Sequence, residues 1–586
     1  MAVMPYQEKK QIPCPSTTKE NSVAAVPDEY PSAAPIAAYL DDYFAMHPYL
    51  AVKAGLHQFD GFAADWSSAS IARRLNGLRR FQAELGAIAS QPLRSHLAGE
   101  DMPRLHAEDE LRWDARLALV NVRSERFFWE TWRPHQTNPL ADIPLLDVSI
   151  YIKRNYAPLA ERVRAITRHC AAIPDILAAA REHLAQRLPL SLLQQSVATF
   201  ESLAHFHTSN LVVAVQPVGD PSLLAAFQKA NRAAVSAYRT FTAGLRSLAP
   251  LTSADVAVGG EILRGMLSTG ELVDLTVEQL LAVGEADLAH NHARMLEVAA
   301  RLGKTPAAAM ADLGRHHPPV EAVLTQTRAL CEEIRKFLIT RDIVTVPGER
   351  RCLVAETLPY MRNGSAFMDV PGPFELSGTD AYFYLTLPDP AWSSSQQEAW
   401  MGKHSIPGLA NTCIHEAWPG HFLQFQHLLG APTVVSKLFT STSFIEGWAH
   451  YAEQMLIEQG YGADDPHFEL HQLSMALLRD CRFLAALRLH TSQMSVDEAA
   501  AFIAREAFFT PMRAQQEAMR GARSPGYLNY TLGKLLFLRL RSELQTAHPT
   551  WSVRQLHDAM LAFGAPPVPL LREALLGISP NSVMLA

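Results

Sequence analysis

Apolar residues recur at intervals of three and four along most of this chain, and this period constrains the fold more than any other feature. Such spacing places the apolar side chains on one face of an amphipathic helix. Helices are expected over 157–188, 190–206, 223–248, 277–302, 319–338, 466–489, 497–505 and 533–544. Pro174 is expected to divide the first of these into two helices. The sequence therefore predicts a mainly α, multi-helix fold.

Strand patterns are few, and the clearest lie between Gly348 and Pro390. Short apolar runs at 352–354, 366–368 and 381–387 are separated there by turns rich in proline and glycine. We expect a small sheet, with Tyr382–Leu387 as an edge strand that pairs with an extended ligand and Tyr384 as a ligand-binding residue. A purely structural hairpin is the alternative.

Composition and charge exclude several classes of protein. Apolar residues make up 48% of the 586 residues, which is enough for a large core. The 52 basic and 59 acidic residues are interspersed, and no apolar run reaches the length of a membrane span. We therefore expect neither a nucleic acid nor a membrane as partner. The sequence does not indicate an oligomeric state.

Two features bear on domains and location. Residues 1–28 are polar and rich in proline, which predicts a flexible tail rather than a signal peptide, followed by one helical unit over 29–586. The six cysteines include no C-x-x-C pair, a pattern typical of a reducing compartment, and Cys413 is expected in the core. A cytoplasmic location is expected.

A pair of histidines with a glutamate beside the first predicts a metal site. His415, Glu416 and His421 lie in the segment HEAWPGH, whereas the common zinc motif has its histidines four residues apart. On a regular helix, positions six apart lie about 120° apart around the axis. We expect a bulge at Pro419 and Gly420 that returns His421 to the face of His415.

A second polar cluster follows about two dozen residues later. Glu446, His450 and Glu453 lie at i, i+4 and i+7 and share one helix face. Ser441, Thr442 or Ser443 is expected to cap this helix, and Gly460 to end it. We predict Glu446 as the third metal ligand, with His450 as a supporting or transition-state group and Glu453 orienting one histidine. A polar network or a solvated helix face is the alternative.

These motifs resemble the bacterial DUF885 family, whose members carry HExxPGHxxQ and EGWxxYxE and are grouped with gluzincin-type zinc metallopeptidases. Weaker similarities lie at Pro48, Ala51, Gly55, His57 and Asp60, and at 524–534. The resemblance implies a metallopeptidase-like fold with a deep central cleft. The metal site would lie within 411–460, and the helical part 466–586 would complete the cleft.

The chemistry of these residues, together with the resemblance, indicates a mechanism and further site residues. Zn²⁺ would be the cofactor, short peptides the substrate, and Glu416 the general base of amide hydrolysis. Tyr530 matches the family's tyrosine and is one candidate oxyanion donor, with His490 and His450 as competitors. Arg482, with Arg479 on the same helix face, is expected to hold a substrate carboxylate.

The stretch 482–490 departs from the family pattern. Relatives carry an aspartate and a glycine where this chain has Ala486 and Arg488, whereas Arg482 and His490 match. Two other functions therefore stay open. One is a zinc hydrolase or lyase specialised for a single small amide-containing metabolite, and the other is a catalytically silent binding protein.

Overall fold

In the computed structural model, the described residues are 34–93, 105, 107–251, 256–362, 364–582 and 584–585. The tail expected over 1–28 lies outside them. The helices of the N-terminal half are α1 Ala34–Met46, α2 Pro48–Lys53, α3 Ser68–Ala89, α4 Ala107–Phe127, α5 Pro134–Thr137, α6 Leu159–His183, α7 Leu190–Thr208, α8 Asn210–Val215, α9 Pro221–Arg246, α10 Gly260–Met266, α11 Val277–Arg301, α12 Pro306–Leu313 and α13 Val323–Thr340.

The C-terminal half carries the motif residues on a second set of helices. They are α14 Ser394–Met401, α15 Ile406–Glu416, α16 His421–Leu429, α17 Val434–Leu438, α18 Thr442–Glu458, α19 Pro466–His490, α20 Val496–Glu506, α21 Pro511–Arg523, α22 Asn529–Ala547, α23 Val553–Leu561 and α24 Val568–Leu576. The prediction of a mainly α fold with small sheets is confirmed. Among the helices of the described residues, none is long and apolar enough to cross a membrane.

Two large hydrophobic cores hold these helices together, and a small third cluster joins α11, α12 and α19. The larger joins α1, α3 and α4 to the C-terminal helices, and the smaller lies within the group α6 to α9. Phe59 and Trp66 pack against both cores. Pro174 lies inside the continuous helix α6, so the predicted division there is wrong. The buried side chains of Ile173 and Ile176 on either side pack into the smaller core and offset the cost of an internal proline, about 3 kcal/mol.

The strands form two small sheets. β1 Arg187–Pro189 pairs in parallel with β2 Ala249–Leu251. In the second sheet the order is β3 Leu353–Glu356, β5 Tyr382–Leu385, β4 Ala366–Asp369, with β3 parallel and β4 antiparallel to β5. The prediction of an edge strand at Tyr382–Leu387 is therefore wrong, because β5 is paired on both sides. The sequence shows the strands but not their order, which depends on contacts between distant segments.

β4 is an edge strand with a free side. The Ser365 carbonyl accepts from the Thr386 amide, so residues 365, 367 and 369 of this antiparallel ladder bond to β5. The backbone groups of Ala366 and Met368 consequently point away from β5. This edge faces the end of α15, because the Met368 backbone forms a hydrogen bond with the Glu416 carboxylate.

Candidate metal centre

Two separate helices carry the histidine pair. α15 ends at Glu416 and α16 begins at His421, with a turn over 417–420 that contains a cis Trp418–Pro419 peptide bond. The prediction of a bulge within one continuous helix is therefore wrong, because a turn separates two helices. Proline has no amide hydrogen to continue the helix, and the Gly420 amide instead donates to the Ile414 carbonyl at 2.9 Å. The turn nevertheless brings both rings together, with centroids 4.8 Å apart.

The turn depends on a close backbone approach at Gly420. A Cβ atom there would lie 1.8 Å from the His415 carbonyl oxygen, so no other residue fits without rearrangement. The indole nitrogen of Trp448 donates to the Pro419 carbonyl at 2.8 Å. The turn is thereby fixed to α18, the helix that carries the second polar cluster.

α18 begins and ends as the sequence predicts, with Ser441 as N-cap and Gly460 with φ +89° just beyond the last turn. A buried carboxylate that sequence reasoning missed, Glu271, accepts hydrogen bonds from the Ser441 and Ser443 hydroxyls. Burial raises the pKa of Glu271, although these hydrogen bonds oppose the shift. Glu271 therefore anchors the first turn of α18, three residues before Glu446.

His415, His421 and Glu446 converge on one point. Their ligand atoms all lie within 4.8 Å of one another, and Glu446 Oε2 is 3.7 Å from Nε2 of each histidine. That separation is longer than a hydrogen bond and close to the roughly 3.4 Å between neighbouring ligands of a tetrahedral zinc. Two imidazole nitrogens and a carboxylate oxygen also suit zinc chemically, so the residues present fit the ion.

His415 is held from behind by an ion-pair chain. Its Nδ1 lies 2.7 Å from Glu453 Oε1, and Arg479 binds both carboxylate oxygens of Glu453, at 2.7 and 3.2 Å. With Nδ1–H donating to Glu453, Nε2 of His415 is left to face Glu446. The expected contact between Glu453 and a histidine is present. Arg479 is committed to Glu453, rather than free for a substrate carboxylate.

Glu416 is buried beside the ligands. Desolvation raises its pKa to about 7, with a further increase from Glu446 and an opposing effect of His415. Tyr530, on α22, lies on the same side: its pKa is raised by burial and then by the negative charge of Glu446. The structure therefore places the predicted base beside the three candidate ligands, and Tyr530 within the electrostatic influence of Glu446.

Three other predicted site residues make contacts of their own. His490 lies eleven residues beyond Arg479 on α19, roughly 16 Å along the helix, and its Nε2 contacts the Gly521 carbonyl at 2.9 Å. His450 is fully buried, with Nδ1 3.9 Å from Glu453 Oε2. Tyr384 packs against Tyr382 and Phe367 on the central strand, not at the sheet edge.

Arg482 and the two departures from the family pattern also have defined contacts. Arg482 forms a bidentate pair with Glu517, both bonds at 3.0 Å, and its guanidinium lies over the ring of Tyr530. Ala486 is fully buried, and Arg488 pairs at the surface with Glu285. The departures therefore pack in the core and at the surface, and do not enter the candidate metal centre.

A second buried network lies behind His450. Lys534, with no exposed surface, donates to Asp287, and Asp480 accepts from Asn291 and Thr531. Burial and Asp287 raise the pKa of Asp480, whereas Lys534 keeps that of Asp287 low. No local spacing in the sequence points to this network, because its residues come from three different helices.

The sequence matches the family described as bacterial protein of unknown function (DUF885) over residues 48–575. The chain belongs to the DUF885 family. Among proteins with curated descriptions, none matches this DUF885 protein.

Two solved structures share the fold of this DUF885 protein. One is a candidate lipoprotein of unknown function from Shewanella oneidensis, with TM-score 0.75 and 22% identity over 93% of this chain and 100% of that one. The other is a candidate lipoprotein from Colwellia psychrerythraea, with TM-score 0.74 and 16% identity over 92% and 98%. An M32 carboxypeptidase from Deinococcus radiodurans R1 aligns at 11% identity over 94% and 97% with TM-score 0.40, too low for an argument.

The Shewanella and Colwellia proteins are described as lipoproteins, which are anchored to a membrane. This contradicts the cytoplasmic location expected for this DUF885 protein. That expectation depended on a polar N-terminal stretch and on unpaired cysteines. The N-terminal stretch lies outside the described residues. Of the cysteines, Cys170, Cys331, Cys413 and Cys481 are buried, so their spacing reflects packing in the core and not a compartment.

Proposed function

We propose that this DUF885 protein is a zinc-dependent hydrolase that cleaves amide bonds of short peptides. The observation that carries the proposal is the convergence of His415, His421 and Glu446, with Glu416 buried beside them. Zinc bound by these three side chains would supply Lewis acidity and activate water at neutral pH. The remaining roles belong to side chains and backbone groups of the chain itself.

Glu416 is the proposed proton carrier. It follows His415 directly in sequence but is not one of the three converging ligands, so its carboxylate can accept a proton and return it to the leaving amine. Its hydrogen bond with the Met368 backbone fixes the carboxylate at the free edge of β4. Tyr530, close to Glu446, is the proposed hydrogen-bond donor to the developing oxyanion.

The free edge of β4 is the proposed binding surface for the peptide backbone. The outward backbone groups of Ala366 and the Met368 carbonyl can form main-chain hydrogen bonds with an extended chain. This moves the proposed pairing from β5 to β4. Such pairing accepts many sequences, which favours short peptides over one particular metabolite.

The first experiment measures zinc per chain in the purified protein and in His415→Ala and Glu446→Ala. About one zinc per chain is expected in the parent protein, with loss in both variants. His490→Ala is the matched control, because it removes a buried histidine that lies far from the ligands. Zinc retained in Glu446→Ala would contradict the ligand set.

The second experiment separates metal binding from catalysis. Glu416→Gln is expected to retain zinc and to lose about 10²–10⁴-fold in kcat/KM on short peptides, the range for loss of a general base. Unchanged hydrolysis in Glu416→Gln would refute its role. A zinc-loaded parent protein without activity on any peptide library would favour the single-metabolite enzyme or the silent binding protein.

A further inference from the structure

A small cavity opens just beyond the end of β4. Its walls are formed by α2, by residues 150–156 and by residues 369–375. Asp369 and Val370 line the cavity and directly follow Met368, whose backbone contacts Glu416. At about 3.3 Å per extended residue, the cavity begins roughly 3–7 Å from that contact, which is the length of one or two residues.

The wall of the cavity is built by close backbone packing. Gly55 has φ +93°, and a Cβ atom there would lie 2.5 Å from the Glu375 backbone nitrogen. At Gly372 a Cβ atom would lie 2.2 Å from the Ala54 carbonyl carbon. The Phe374 amide donates to the Ala54 carbonyl at 2.9 Å. The segment after β4 is thereby fixed against the end of α2.

His57 closes the same wall. Its ring lies 3.0 Å from Asp60 and 2.9 Å from Glu375, and it stacks on Tyr156 with ring centroids 3.7 Å apart. Gly55, His57 and Asp60 all belong to the N-terminal motif, which the metal centre does not use. The motif therefore builds a second feature beside the same strand edge.

The cavity presents a cation without an ion-pair partner. Arg154 pairs with Asp369 at 3.0 Å, and Lys153 lies 3.8 Å from Asp147. Lys53 is exposed and has no carboxylate within ion-pair distance in the described part of the chain. Desolvation and the like charge of Lys153 lower its pKa, whereas Asp369 and Asp147 raise it. Three cations line the cavity, Lys53, Lys153 and Arg154, against the two carboxylates Asp369 and Glu375. An anionic group would balance the excess positive charge of this lining.

We propose that this cavity binds the C-terminal carboxylate of a short peptide. The peptide would run parallel to β4, with its reacting bond at Glu416 and one or two residues between that bond and Lys53. This rests on the proposed function and specifies its substrates: peptides with a free C-terminus, from which one or two residues are removed.

The test is a binding measurement on the full chain carrying Glu416→Gln, which prevents turnover. Isothermal titration calorimetry compares acetyl-tetraalanine, its C-terminal amide, and acetyl-trialanyl-glutamate amide. The free acid is expected to bind about tenfold more tightly than the amide, since a charged hydrogen bond is lost. Adding Lys53→Met should remove this preference. Lys229→Met, at an exposed lysine on α9, should leave it unchanged.

Three outcomes overturn the proposal. They are equal binding of acid and amide, no binding of either peptide, and a preference that survives Lys53→Met. If the glutamate amide binds as tightly as the free acid, the cavity recognises an acidic side chain and the assignment to the C-terminus is wrong.

Zinc content and hydrolysis are measured separately, so the two proposals can fail independently. Zinc-dependent hydrolysis without a carboxylate preference refutes only the proposal that the cavity binds the C-terminal carboxylate. A preference that depends on Lys53, in a protein that binds no zinc, refutes the proposed metal site.

Discussion

At the scale of single residues, the contact between Glu453 and His415 decides which imidazole nitrogen is available to a metal. Glu453→Gln keeps a side-chain oxygen for Nδ1–H but removes the charge that strengthens the imidazole as a ligand. We expect zinc affinity to fall about 10- to 100-fold, measured by competition with a chromophoric chelator.

Glu517→Gln is the matched control for that substitution. Glu517 is also a buried carboxylate bound to an arginine of α19, but its partners are Arg482 and Tyr527. We expect Glu517→Gln to reduce the stability of the fold about as much as Glu453→Gln does, but to leave the zinc affinity unchanged. Equal losses of affinity in both variants would show that general destabilisation, and not the contact with His415, weakens the metal site.

His57 makes the stability of the protein depend on pH. Burial alone would lower its pKa, but Asp60 and Glu375 raise it to about 9. Because the folded-state pKa exceeds the usual 6.5, this stabilisation is complete below about pH 6.5 and is lost as the pH rises through 9. In urea unfolding, the gap in stability between the parent protein and His57→Gln should narrow from pH 6 to pH 10.

The control for this pH dependence is His205→Gln, at an exposed position on α7. It should unfold like the parent protein at both pH values. A gap between the parent and His57→Gln that stays constant from pH 6 to pH 10 would mean that packing on Tyr156, rather than the charge on the ring, supplies the stabilisation.

At the scale of elements, the crossing of α18 and α22 sets the position of Glu446 relative to Tyr530. The helices touch at two glycines: a Cβ on Gly533 would lie 1.8 Å from the Ser443 carbonyl oxygen, and one on Gly447 would lie 2.4 Å from Gly533. Gly533→Ala must separate the helices. We expect a loss of about 1–3 kcal/mol in urea unfolding, together with weaker zinc binding.

Gly86→Ala is the control for this crossing. It lies inside α3 and has nothing within 4 Å of an added Cβ. There alanine should be neutral or should stabilise by about 0.5–1 kcal/mol, since glycine is the poorer helix former. An unchanged free energy of unfolding in Gly533→Ala would show that the helices can separate without cost.

The elements also show what sequence can predict. Apolar periodicity and capping residues locate α18 and most long helices, because both are local properties. The ligand set follows from spacing, although the turn between the histidines was expected as a bulge. Strand order, the partners of Arg479 and Arg482, and the cavity at Lys53 depend on packing between distant segments. No pattern within a window of the sequence contains that information.

At the scale of the whole molecule, the metal should act as a stabilising ligand. His415, His421 and Glu446 lie on three different helices, so an ion that binds them is bound only by the folded chain. Zinc at 100 times its Kd should add about 2.7 kcal/mol and raise Tm, and a chelator should reverse this. Calorimetry on Glu446→Ala, which should show no zinc-dependent shift, is the control.

The bridge between His57 and Glu375 spans 318 residues of sequence. Chains leave the ribosome at about 5–20 residues per second, so roughly 15–60 s pass between the synthesis of His57 and that of Glu375. Throughout that time the end of α2 lacks residues 370–375, the segment after β4 that packs against it in the folded protein. The cavity beside β4 therefore cannot form before Glu375 has been synthesised, and the end of α2 stays uncovered until then.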